Sequence, residues 1–155
     1  GYGIKSLMKT VATNGCFDIL HVGHVLYLNE AKSLGDKLIV GLNSDRSVKQ
    51  LKGESRPYNN EQNRAAVLSA LRCVDEVIIF DEISCEQFLM EAEPDIYVKG
   101  GDYSYDDIPD CEKRTISLLQ QKGFCKEVKM LKKYKSLSTS DIIRKLEDLS
   151  PPLMY

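Results

Sequence analysis

Asn14-Gly15-Cys16-Phe17-Asp18-Ile19-Leu20-His21-Val22-Gly23-His24 decides the reading of this chain. Thr10-Val11-Ala12-Thr13 before it has the character of a short buried strand. Val25-Leu26-Tyr27-Leu28-Asn29-Glu30-Ala31-Lys32-Ser33-Leu34 after it carries apolar residues at helical spacing and stops at Gly35. The stretch is therefore a strand-to-helix turn, with His24 in or just before the first helical turn. Backbone N–H groups at a helix start lack partners, and the helix dipole adds partial positive charge there. Two imidazoles three residues apart add further donors, and Gly23 lets a ligand come close. The implied chemistry is a cradle for a polyphosphate.

The chain has two histidines, and both fall in this turn. An isolated pair of this spacing is more often coincidence than function. Zinc is a weaker reading still, because a helical pair wants i, i+4 spacing or Cys-x-x-Cys companions; no metal-ligating residues are assigned. Placement on a strand–turn–helix unit favours phosphate over both.

Working outward, Lys37 to Leu42 is a buried strand ending at Asn43-Ser44-Asp45. Residues 46–57 are polar and basic with Gly53 and Pro57, which predicts a mobile loop with room for one helical turn. Asn59 or Asn60 caps a helix through Arg64, Val67, Leu68 and Leu71. Glu76 to Phe80 is a third strand, Cys85 to Glu91 a short helix, and Asp95 to Lys99 a fourth strand broken at Gly100-Gly101-Asp102-Tyr103. An acidic loop leads to a helix from Asp110 to Gln121, then a fifth strand from Glu127 to Met130. A basic loop and Ser138-Thr139-Ser140 precede a last helix from Ile142 to Leu149.

Five strands alternating with helices predict an α/β fold, a single Rossmann-like doubly wound domain with a five-stranded parallel sheet. It is expected over residues 8–150, with 1–7 an extension or expression remnant and 151–155 a loose tail. The histidine turn, the lysine-rich segment, Gly-Gly-Asp and Ser-Thr-Ser each follow a strand. All four converge on the sheet edge where ligands bind in such folds.

The apolar and charged fractions are those of a soluble globular protein. The 155 residues suffice for a real core, and a net charge of −2 with mixed signs gives no case for nucleic acid or a membrane surface. Five cysteines without Cys-x-x-Cys spacing read as reduced thiols in a cytoplasmic protein.

These motifs resemble those of the HxGH nucleotidyltransferases, the cytidylyltransferase-like family. Asn14 to Asp18 with His21 to His24 is one signature. Asn43-Ser44-Asp45 with Leu51-Lys52-Gly53 and Ser55-Arg56-Pro57 is a second, Val98 to Tyr103 a third, and Ser138-Thr139-Ser140 a degenerate fourth. The similarity covers roughly residues 9–147 and is strongest to heptose 1-phosphate adenylyltransferases, which make ADP-heptose for bacterial surface polysaccharides. In some of those proteins a sugar kinase domain precedes this one; the resemblance here is to a stand-alone version. Lys133-Tyr134-Lys135-Ser136-Leu137 stands where glycerol-phosphate cytidylyltransferases carry Arg-Thr-Glu-Gly-Ile. The absent arginine counts against cytidylyl transfer, since lysine does not reproduce its bidentate fork.

The resemblance implies transfer of AMP from ATP to a sugar 1-phosphate, D-glycero-D-manno-heptose 1-phosphate above all, with magnesium carried on the triphosphate and a homodimer as the assembly. Its alternatives are CTP with a polyol phosphate, and an ATP-binding sensor without turnover. By the same resemblance His21 and His24 hold the triphosphate, with His24 nearest the leaving bridging oxygen. Lys52 closes on the α-phosphate, with Lys49 the second candidate. Ser138 and Thr139 hold the β- and γ-phosphates. Gly15, Cys16 and Phe17 present backbone beside the nucleotide, and Gly100, Gly101 and Asp102 flank base and ribose. Asp18 either binds the sugar or braces the turn; Arg56 and Arg64 either meet the acceptor phosphate or pair with surface carboxylates.

Overall fold

The central strand β1 (Thr10–Gly15) runs two residues further than its apolar pattern, because Asn14 and Gly15 still pair, with Gly41 and Leu42 of β2 (Lys37–Asn43). The computed structural model describes residues 8–101, 104–132 and 139–149. Its remaining strands are β3 (Glu76–Phe80), β4 (Ile96–Gly100) and β5 (Glu127–Leu131). All neighbours pair in parallel, in the order β3-β2-β1-β4-β5. The chain builds outward from β1 to β3, then crosses back to place β4 on the other side of β1. The strand order thus reverses between β1 and β4, the usual position of a ligand crevice in an open α/β sheet.

Side-chain alternation assigns the helices to faces. Val11 points to the face covered by α1 (Val22–Lys32) through Leu28 and Ala31, and by α3 (Glu61–Ser69) through Leu68. Ala12 and Tyr97 point to the opposite face, covered by α4 (Glu86–Ala92) through Phe88 and by α5 (Asp110–Gln121) through Ile116. β2 is buried from Leu38 to Asn43, as its unbroken apolar run requires of a strand covered on both sides.

The loop expected over 46–57 is corrected. Residues Asp45–Lys52 form a two-turn helix, α2. Ser44 caps it, accepting at Oγ from the Ser47 N–H, and Val48 is fully buried beneath it. Its charges lie on the outer face of an amphipathic helix. Gly53, at a φ of 104°, ends it and leaves Lys52 at its tip. Asn60 rather than Asn59 caps α3. The acidic loop contains a single 3-10 turn, Tyr105–Asp107. The last helix, α6 (Thr139–Leu149), starts slightly earlier than expected. The predicted terminal segments 1–7 and 151–155 and the basic loop lie outside the described residues. No helix among the described residues is long and apolar enough to cross a membrane.

Gly41 lets α4 pack directly on β2: a Cβ there would sit 2.7 Å from the Phe88 ring. Gly41→Ala is therefore expected to lower unfolding stability by about 1–3 kcal/mol in denaturant titration, through overpacking.

Candidate active site

The turn after β1 is held by strain and by rings. Phe17 sits in the left-handed region at a φ of 44°, an uncommon conformation for an aromatic residue. Its ring meets His24 edge-on, with centroids 5.3 Å apart. A Cβ on Gly15 would fall 2.9 Å from that ring. Gly15 is thus required by the fold of the turn itself.

The two histidines cap α1 in place of the usual Ser, Thr, Asp or Asn. His21 is the N-cap, and its Nδ1 accepts from the Gly23 N–H at 3.1 Å. The Nδ1 of His24 accepts from the His21 N–H at 3.3 Å, completing a reciprocal capping box built from imidazoles. The rings lie 4.0 Å apart, tilted by 34°. An Nδ1 that accepts cannot carry a proton, so each neutral ring holds its proton on Nε2 and offers it as a donor. Burial lowers the pKa of His21, favouring the neutral ring. His21 Nε2 is buried without a partner among the described residues. A donor left this way at a helix N-terminus invites an acceptor from a ligand.

A carboxylate and a guanidinium tie the second arm of the site to this turn. Asp18 accepts from Arg56 Nε at 2.7 Å and from the backbone N–H groups of Tyr58 and Asn59 at 2.9 and 3.0 Å. Burial pushes its pKa up, but the Asn59, Tyr58 and Arg56 bonds outweigh that and hold it below the usual value. Of the two roles open to Asp18, the structure supplies the brace. Arg64 is likewise spent inside the protein: it is 1% exposed and donates four hydrogen bonds inward. These go to the carbonyls of Asn59, Cys16 and Asn43, and to Asp45 Oδ1 at the start of α2. Arg64 thus stitches the β1 turn to the end of β2 and to α2. Its expected alternative, pairing with a carboxylate, is met only in that last contact. Arg56 keeps Nη2 buried and without a partner among the described residues, so part of its guanidinium is left for an anion.

Lys49 and Lys52 are exposed on α2. The Cys16 thiol registers where Lys52 stands: burial raises its pKa, and the opposing charges are Lys52, then Arg64 and Arg56. The Lys52 charge is thus near enough to be felt at Cys16 of the β1 turn. On the far side of the crevice Gly101, at a φ of 147°, leaves β4 and donates to the Leu131 carbonyl. Tyr27 of α1 packs against Gly100, where a Cβ would lie 3.0 Å from its ring, and shares a hydrogen bond with Thr13. Gly23 is buried at the first turn of α1. Asp102 and Ser138 lie outside the described residues, and Thr139 opens α6. His21, His24, Gly15, Cys16, Phe17, Arg56 and Lys52 are thus brought to one edge.

Two features were missed in the sequence. The half-buried Asn14 amide bonds to the Tyr97 hydroxyl, and Lys99 pairs with Glu112 at 2.6 Å in the interior. A polar residue at the end of a central strand was a signal for the first. Nothing local marked the second, whose partners are on β4 and α5. Among the described residues no group of three His, Cys, Asp or Glu is placed to hold a metal ion.

The cytidylyltransferase-like family model matches residues 12–145. The chain is 48% identical over 139 residues to the bifunctional protein HldE of Wolinella succinogenes, and 48% identical over 141 residues to that of Pasteurella multocida. These alignments cover 90% and 91% of the chain but 27% and 28% of the relatives, so it spans little more than a quarter of their length. A solved structure, the lipopolysaccharide core biosynthesis protein of Thermoplasma volcanium, superposes with a TM-score of 0.66 at 35% identity. That match covers 82% of this chain and 98% of the other.

Asp18→Asn keeps the shape and removes the charge. It is expected to cost about 3 kcal/mol at neutral pH, because the buried Arg56 loses its counter-charge. The native carboxyl titrates below the unfolded value of 3.8. Its contribution is therefore complete above that value and lost as pH falls through the lower native one. Denaturant titrations of the two proteins should draw together as pH falls below 3.8 and converge only below the lower native value.

Proposed function

The chain belongs to the cytidylyltransferase-like family, and on that premise we propose that it transfers AMP from ATP to a sugar 1-phosphate, releasing pyrophosphate. The acceptor of this reading is D-glycero-D-manno-heptose 1-phosphate, and the product an ADP-heptose for bacterial surface polysaccharide. The identity to HldE proteins and the likeness to a lipopolysaccharide core biosynthesis protein support that choice. Such substrates belong to the cytoplasm, and a homodimer is the assembly that goes with the reading.

The observation that carries it is the imidazole pair, with both Nδ1 atoms turned inward as caps and a buried Nε2 donor on His21. In the reaction an oxygen of the acceptor phosphate attacks the α-phosphorus in line. A new P–O bond forms, the α–β bridging P–O bond breaks, and its electron pair leaves with pyrophosphate. Charge grows on the bridging oxygen and on the leaving phosphates. His24 and His21 donate to those oxygens from Nε2, and the donors need no reorientation because the caps already hold the rings. Lys52, at the tip of α2, neutralises the α-phosphate, with Lys49 one turn behind it. Arg56 offers its unpartnered Nη2 to the acceptor phosphate. Gly15, Cys16 and Phe17 supply backbone beside the nucleotide, Gly23 gives room at the helix start, and Gly100, Gly101 and Asp102 border base and ribose. Ser138 and Thr139 take the terminal phosphates at the start of α6.

With the Asp18 carboxylate already committed to Arg56, Tyr58 and Asn59, magnesium fits as a cation bound to the phosphates and water. When bound it neutralises charge on the triphosphate.

Pyrophosphate release from ATP and from CTP, with a panel of sugar and polyol phosphates, tests the assignment. The expected result is release with ATP and the heptose phosphate. His24→Ala should lower kcat by about a hundredfold or more, the usual cost of losing one such donor, which is roughly 3 kcal/mol. The cap it also removes should cost about 1 kcal/mol of stability, leaving the variant folded. Undiminished turnover would contradict the role of His24.

A further inference from the structure

We propose that Asn14 is an additional nucleotide-contacting residue, donating from Nδ2 to an oxygen of the bound nucleotide, and that Tyr97 is the positioning residue that aims it. The inference rests on the crevice being a nucleotide site, as argued above.

Asn14 is the penultimate residue of β1, at the point where strand order reverses, and immediately precedes Gly15-Cys16-Phe17. Its side chain shares the sheet face of Ala12 and Tyr97. The Tyr97 hydroxyl donates to Asn14 Oδ1 at 2.8 Å. The same hydroxyl lies 3.1 Å from Cys85 Sγ. Tyr97 is 0% exposed and Cys85 1% exposed. Burial, and then the nearby Glu112, push the Cys85 thiol up to about 12, so it stays protonated at neutral pH. The protonated thiol has two acceptors in reach, the Tyr97 oxygen and the Glu112 carboxylate. The direction that matters is the other one: the Tyr97 hydroxyl gives its proton to the amide oxygen.

That bond fixes the amide. Its oxygen is committed to the interior, so Nδ2 is turned from Tyr97, and it has no partner among the described residues. A phenylalanine at 97 would fill the same volume without a buried hydroxyl. The hydroxyl's bonded partners among the described residues are Cys85 and Asn14. Burying it is costly unless it is bonded, and the bond it makes orients a half-buried amide at the crevice edge.

The test is ATP and CTP affinity by calorimetry, with melting temperature, for wild type, Asn14→Ala, Tyr97→Phe and the double variant. The expected loss is about five- to tenfold for Asn14→Ala, the size of one hydrogen bond. Tyr97→Phe should lose somewhat less, and the double variant no more than Asn14→Ala alone. That non-additivity is the mark of a residue acting through another. Asn14→Asp keeps the acceptor for Tyr97 but presents an oxygen instead of a donor; it should melt near wild type and bind nucleotide worse than the alanine variant. Variants that melt lower yet keep wild-type nucleotide affinity would overturn the proposal and leave Asn14 a structural partner of Tyr97. Additive losses would overturn the role of Tyr97. A wild-type chain that binds nucleotide but releases no pyrophosphate with any acceptor would overturn the transfer reading alone, while the affinities still decide Asn14. A wild-type chain that binds neither nucleotide would overturn both.

Discussion

Two backbone N–H groups at the start of α1 are held by two ring nitrogens, and the site follows from that exchange. The N-terminal N–H groups of a helix need acceptors, and serine or aspartate commonly supplies them. Here His21 Nδ1 takes the Gly23 N–H and His24 Nδ1 takes the His21 N–H. The helix is capped, and as a consequence each ring is locked in one tautomer with Nε2 as its donor. A carboxylate cap would satisfy the helix equally well and leave no donor behind. Stability and chemistry are thus met by opposite edges of the same ring.

The second arm of the site is built by long-range ties. Asp18 spends its oxygens on Arg56 and on the backbone of Tyr58 and Asn59, and Arg64 spends four donors on the β1 turn, β2 and α2. A buried charge costs several kcal/mol unless paired and hydrogen-bonded, so neither group has slack to follow a ligand. Together they tie the turn to the segment 56–59 and to the start of α2. Reversal of strand order between β1 and β4 opens the space these arms surround.

The sheet and the histidine turn were legible in the sequence because their signals are local. Strand β2 is an unbroken apolar run, and the turn lies between a strand and a helix of opposite periodicity. The helix of residues Asp45–Lys52 was hidden by its charges: the one large apolar side chain it buries fully is Val48, too little for a periodic pattern to register. Asp18 and Arg64 could not be assigned from sequence, since their partners lie 38 to 41 and 5 to 48 residues away. The tautomers, too, depend on which backbone groups each ring meets in space. The link from Asn14 to Tyr97 spans 83 residues and has no local signature.

Nitrogen-15 NMR of the imidazoles examines the central claim most directly, and a chain with two histidines makes the spectrum simple to read. At neutral pH both rings should report a protonated Nε2 and an unprotonated Nδ1, and addition of ATP should shift the Nε2 resonances while the Nδ1 resonances hold their positions. Rings protonated at Nδ1, or Nε2 signals indifferent to saturating ATP, would contradict an imidazole pair set by the helix cap to grip a triphosphate.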